Sequence, residues 1–163
     1  MRFDEIDKAI VGAFEARFRN AGNTAPYVKC RIGNNPFDEP KETPFEWVAL
    51  FVQMPDSVPK AINAKCVRVI GSVILQIFTP ANGGDRRGLE IASKFANCFN
   101  LSRIGFVGAT IDFRTADCGT PLNRNGYRQR NATISFSADV LPLDGETVWV
   151  GSDSSDEIAV WVF

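Results

Sequence analysis

The chain has 163 residues, 45% hydrophobic and 23% charged, with 18 Lys and Arg against 19 Asp and Glu and no histidine. These are ordinary values for one globular domain, large enough to bury roughly two-thirds of its unfolded surface. A net charge of −1 excludes a global field that would steer the protein to nucleic acid or an anionic membrane.

Residues 2–18 predict a helix, because Phe3, Ile6, Ile10, Phe14 and Phe18 recur at spacings of three and four. Asp4 and Glu5 at its start, and Arg17 and Arg19 at its end, complement the helix dipole. Residues 20–24 form a turn that stops it. Residues 27–32 are compatible with a short strand, and residues 33–40 read as a loop. Residues 45–54 are an apolar strand carrying Trp47, Val48, Leu50, Phe51 and Val52. Pro55 and Pro59 then open an excursion of about ten residues, long for a hairpin connection.

The clearest local signal is at residues 67–100. Val67, Val69, Val73, Leu75 and Ile77 fall on one strand face, with Arg68, Ile70, Ser72, Ile74, Gln76 and Phe78 on the other. Residues 79–84, Thr-Pro-Ala-Asn-Gly-Gly, break the run. Asp85 is the expected N-cap of a helix with Leu89, Ala92, Phe95, Ala96 and Phe99 on one stripe. A third strand is expected over residues 104–113, with Val107, Ala109, Ile111 and Phe113 aligned, then a loop over 114–125. Residues 128–140 form a fourth strand, with Ala132, Ile134, Phe136, Ala138 and Val140 facing in and Asn131, Thr133, Ser135 and Ser137 facing out.

The order helix, strand, strand, helix, strand, strand predicts an α+β fold, its two helices packed on one face of a mainly antiparallel sheet. That domain spans residues 1–143. Residues 144–163 form an extension in which 147–150 and 158–163 are β-prone pieces of a hairpin-like tail. The tail is apolar enough to be covered by the domain or by a neighbouring subunit.

Chemistry is sparse. Without histidine the commonest general base, triad partner and metal ligand is missing. Cys30, Cys66, Cys98 and Cys118 form no close pair and read as reduced thiols, so no metal and no cofactor is expected. Residues 83–88, Gly-Gly-Asp-Arg-Arg-Gly, lack the Lys-Ser/Thr ending of a phosphate loop. Asp153, Asp156 and Glu157 lack calcium-loop spacing and read as a solvated turn. The glycosylation-like triplets at Asn100 and Asn131 are read as chance matches. The first residues are acidic, unlike a signal peptide, and no apolar run reaches the roughly 18 residues of a membrane span. A soluble, intracellular chain is expected.

Arg86 and Arg87 sit at the start of the second helix, and Arg124, Arg128 and Arg130 cluster with Tyr127 where the last loop enters the fourth strand. They read as solvated charges or the rim of a protein interface. Trp149, Trp161 and Phe163 are the aromatic anchors of the extension. Two alternatives stay open: a nucleic-acid-binding accessory protein using the arginines, and a small enzyme with a thiolate site at Cys118 beside Asp117 and Gly119.

Over residues 1–140 the succession is distinctive. It runs from the opening Met1-Arg-Phe-Asp-Glu-Ile helix through a Pro-rich loop to the apolar strand at 45–54. The strand ending Leu75-Gln-Ile-Phe-Thr-Pro80 follows, then Gly83-Gly84, the helix Leu89-Glu-Ile-Ala-Ser-Lys-Phe95 and two final strands. This resembles the tail terminator, or tail-tube capping, proteins of long-tailed, lambda-like bacteriophages. The resemblance implies a structural virion protein without enzymatic activity, acting as a homohexameric ring at the tail-neck junction. Its implied partners are its own copies, the major tail tube protein and the head-tail connector. DNA would pass through the lumen without being bound, no membrane would be involved, and assembly would take place in the host cytoplasm. Another neck or head-completion protein is the nearest alternative.

Overall fold

The computed structural model describes residues 3–19, 28–33, 45–59, 67–106 and 109–140. Two helices and a curled, mostly antiparallel sheet make an α+β domain. Helix α1 (Phe3–Phe14) buries Ile6, Ile10 and Phe14, as its spacing requires. The helix loosens into a π turn, Glu15–Arg19, which keeps Phe18 in the core at 4% exposure. Of the helix expected over 2–18, the α-helical part therefore ends at Phe14.

Strand β1 (Lys29–Ile32) pairs in parallel with β2 (Trp47–Pro59), which pairs antiparallel with β3 (Val67–Pro80). The prolines do not end β2 at residue 54. A shift in register between Gln53 and Asp56 absorbs Pro55, so the strand continues to Pro59. Strand β3 leads through a 3-10 turn, Ala81–Gly83, into helix α2 (Arg86–Phe99). The single strand expected over 104–113 is two strands, β4 (Arg103–Phe106) and β5 (Ala109–Cys118), which pair antiparallel. Two-thirds of the expected loop is also strand. Strand β5 runs on to Cys118, across a shift between Phe113 and Ala116, and β6 (Leu122–Arg124) pairs with β7 (Tyr127–Val140). Asn125 and Gly126, both at positive φ (48° and 80°), make the two-residue hairpin turn between them.

The strand order is β1-β2-β3-β7-β5-β4, with β6 continuing the β5 side of β7. Register aligns the inward rows: Val48, Ile77 and Arg130; Leu50, Leu75 and Ala132; Val69, Ala138 and Ile111. Gly71 lies opposite Phe136, and a Cβ there would run into the Phe136 ring and the Gln53 carbonyl. These inward residues join the buried residues of both helices in one hydrophobic cluster. The many phenylalanines form its spine. Phe14 stacks on Phe18 at 4.8 Å, Phe95 meets both at 6.4 Å, and Phe95–Phe99, Phe99–Phe113 and Phe113–Phe136 follow at 5.4, 5.1 and 6.0 Å.

Helix α2 is rotated from the stripe read in sequence. Gly88, Ile91, Ala92, Phe95 and Phe99 are buried, while Leu89 is 43% exposed. Gly88 brings the helix close to β3 and β7, since its Cβ position lies 3.9 Å from Thr79 Oγ1 and from Arg130 Nε. Asp85 does occupy the N-cap position, but its side chain does not cap; the carboxylate accepts from Arg130 Nη2 instead. The extension, with Trp149, Trp161 and Phe163, lies outside the described residues, as do residues 34–44 of the Pro-rich loop.

Candidate functional site

The five arginines singled out in sequence separate into three kinds. Arg87 and Arg130 are structural. Arg87 holds Glu46, at the entry to β2, through Nε at 2.7 Å and Nη2 at 2.6 Å, and reaches Glu90 at 3.3 Å. The hydrogen bond to Glu46 raises its already high pKa. Arg130 is 8% exposed. It donates to Asp85, to the Gly119 carbonyl and to Cys118 Sγ, tying β7 to the start of α2 and the end of β5. The Asp85 bond raises its pKa as well. It lies on the inward row beside Gly88 of α2, where its three acceptors offset the burial of a cation at the start of an otherwise apolar strand face.

Arg86 is on the surface and makes an i,i+4 contact to Glu90 at 3.2 Å. Arg124 is exposed on β6. Arg128, directly across from Asn123, is half-buried, and its Nε is enclosed without a hydrogen-bond partner. The fold therefore brings Arg124 and Arg128 together at the β6–β7 hairpin and Arg86 to the rim of α2, while Arg87 and Arg130 are used internally.

The outward face of the sheet is the second feature. Its rows read Trp47, Phe78, Gln129 and Leu122; Phe51, Ile74, Thr133 and Asp117; Ile70, Ser137 and Asp112. Trp47 stacks on Phe78 at 3.9 Å and Tyr127 meets Phe78 edge-on at 6.4 Å. Ile70 is 43% and Leu122 67% exposed. Strand β1 pairs only with Trp47–Leu50, so among the described residues the rest of β2 presents an unpaired edge.

A groove runs along the outer side of α2, lined by Arg17, Arg86, Leu89, Glu90, Lys94 and Cys98. Arg17 on the π turn closes one end, donating from Nη1 to the Cys98 carbonyl at 3.0 Å and to Ser102 Oγ at 3.4 Å. Lys94 lies over the Phe18 ring at 5.3 Å. Burial pushes the Cys98 thiol above its ordinary pKa, with Lys94 and Arg17 pulling back. Sequence reading did not single out this groove; the signal available was Leu89, a large apolar residue one position off the buried stripe.

Cys118 is exposed beside Arg130. Among the described residues no group of three or more Cys, Asp or Glu could hold a metal ion, and no helix is long and apolar enough to cross a membrane.

No known family profile matches the chain, and no curated protein matches it by sequence. Several solved structures do share its fold. One of them superimposes with a TM-score of 0.57 at 18% identity, over 83% of this chain and 97% of its own. The likeness is one of fold.

Proposed function

We propose that the protein is a structural virion component that caps the phage tail tube, ends its polymerisation and offers its other face to the head-neck connector. It acts as a homo-oligomeric ring, most simply a hexamer. The observation that carries this reading is the outward sheet face. Phe51, Ile70, Ile74 and Phe78 interleave there with Ser72, Gln76, Thr133 and Ser135, alongside the length of β2 that is unpaired among the described residues. A half-apolar face of that kind, beside an edge that no other described strand covers, suits copies of one chain packing side by side. Arg86, Arg124 and Arg128 then serve as rim charges, and Trp149, Trp161 and Phe163 as anchors of a hairpin-like tail.

The test is solution mass by light scattering, alone and with tail tube protein, paired with negative-stain micrographs. Rings, or a defined oligomer that forms on adding the tube, are expected. A monomer under both conditions overturns the reading. A salt-dependent shift of DNA or RNA would favour the nucleic-acid alternative. The internal engagement of Arg87 by Glu46 and of Arg130 by Asp85 weighs against it.

A further inference from the structure

Charge is segregated along this chain. All 18 Lys and Arg fall within residues 1–140, together with 14 of the 19 Asp and Glu, so the body carries +4 and residues 141–163 carry −5. The acidic segment is also rich in large apolar residues, with Trp149, Ile158, Trp161 and Phe163 among them.

The groove on α2 is complementary in both respects. It is open, with a volume of about 610 Å³, in the size range of small-ligand sites. Arg17, Arg86 and Lys94 supply three cations, and its one acid, Glu90, is already held by Arg86 and Arg87. Leu89, 43% exposed, offers apolar surface between them. Phe136, four residues before Val140, connects through Phe113 and Phe99 to the end of α2 that carries Cys98. Residues 141–163 number 23 and reach roughly 75 Å when extended.

We infer that the groove formed by Arg17, Arg86, Leu89, Lys94 and Cys98 is the docking site for residues 144–163 of the same chain. Trp161 or Phe163 seats against Leu89, and Asp153, Asp156 and Glu157 lie along the cations. Tethering gives the segment a millimolar-scale effective concentration, so a modest contact suffices. The inference does not depend on the ring, and it engages Arg86, Trp161 and Phe163 within one chain in place of the interface roles given to them above.

Hydrogen exchange of the full chain tests it, with limited chymotryptic cleavage after Trp161 as a second readout. The comparison is between the wild type, a Leu89→Asp/Lys94→Glu variant, and Arg86→Glu, whose side chain is 92% exposed and so leaves folding intact. Exchange and cleavage within 144–163 are expected to be about tenfold faster in both variants, with β7 amides unchanged. Equal rates in all three proteins overturn the inference, as does protection that appears only as protein concentration rises, which would place the segment on a neighbouring copy. If the double variant unfolds, Arg86→Glu decides alone. Protection in a protein whose scattering mass stays monomeric both alone and with tail tube protein would uphold the groove while removing the ring.

Discussion

Arg87 and Glu46 meet fork to fork, Nε to Oε2 at 2.7 Å and Nη2 to Oε1 at 2.6 Å, 41 positions apart in sequence. Their side chains are 29% and 23% exposed, so the pair is shielded well enough to fasten the first turn of α2 to the entry of β2. Replacing Arg87 with Ala is expected to cost roughly 1–2 kcal/mol, and a double-mutant cycle with Glu46→Gln should recover most of it as coupling. Urea midpoints of the four proteins measure this. Additive losses would show that the pair contributes no coupling.

Arg130 presents a harder case, since it is a buried cation with three separate acceptors. Arg130→Ala removes three hydrogen bonds and opens a void beside Gly88, for a loss of roughly 2–4 kcal/mol. Asp85→Asn keeps a hydrogen-bond acceptor at a site that is 38% exposed, and should cost clearly less. Thermal melts of both variants rank the two effects. The reverse order would place the organising charge on Asp85.

Gly71 is required by close approach. Its partner Phe136 and the Gln53 carbonyl at the β2 irregularity occupy the space a Cβ would need. Gly71→Ala should destabilise the domain by roughly 1–3 kcal/mol, although alanine usually stabilises a strand relative to glycine. Gly71→Ala combined with Phe136→Leu should recover part of that loss. Equilibrium unfolding of the single and double variants reads the compensation.

Cys98 should resist alkylation. Burial holds its thiol above the ordinary value of 9.0, so less thiolate is present at any given pH, whereas Cys118 is exposed. Peptide mass spectrometry after a brief iodoacetamide pulse at pH 8 is expected to find Cys118 labelled well before Cys98. The sign for stability follows from linkage. A folded-state pKa above the unfolded one means the contribution of the neutral thiol is intact below the ordinary value and is lost as pH rises through the folded one. Cys98→Ala should therefore lose less stability than wild type between neutral and strongly alkaline pH.

Much of this architecture is legible in the chain itself, because burial on one face imposes a period that side chains must obey. The alternation of Val69, Val73, Leu75 and Ile77, and of Ala132, Ile134, Phe136 and Ala138, set the two central strands and their inward faces. The spacing of Ile6, Ile10 and Phe14 set the first helix in the same way. What periodicity cannot carry is contact between distant residues, and there tertiary structure decided. Pro55 reads as a strand end locally, yet pairing with β3 on one side lets β2 shift register and continue to Pro59. The polar residues at 114–118 read as loop, yet β7 gives them a ladder to join. Asp85 reads as a cap, but Arg130, 45 positions away, offers its carboxylate a charged partner that the helix amides do not. The same long-range folding sorted five similar arginines into two internal clamps, two surface cations and the half-buried Arg128, with the clamps set by which carboxylates the fold brought within reach.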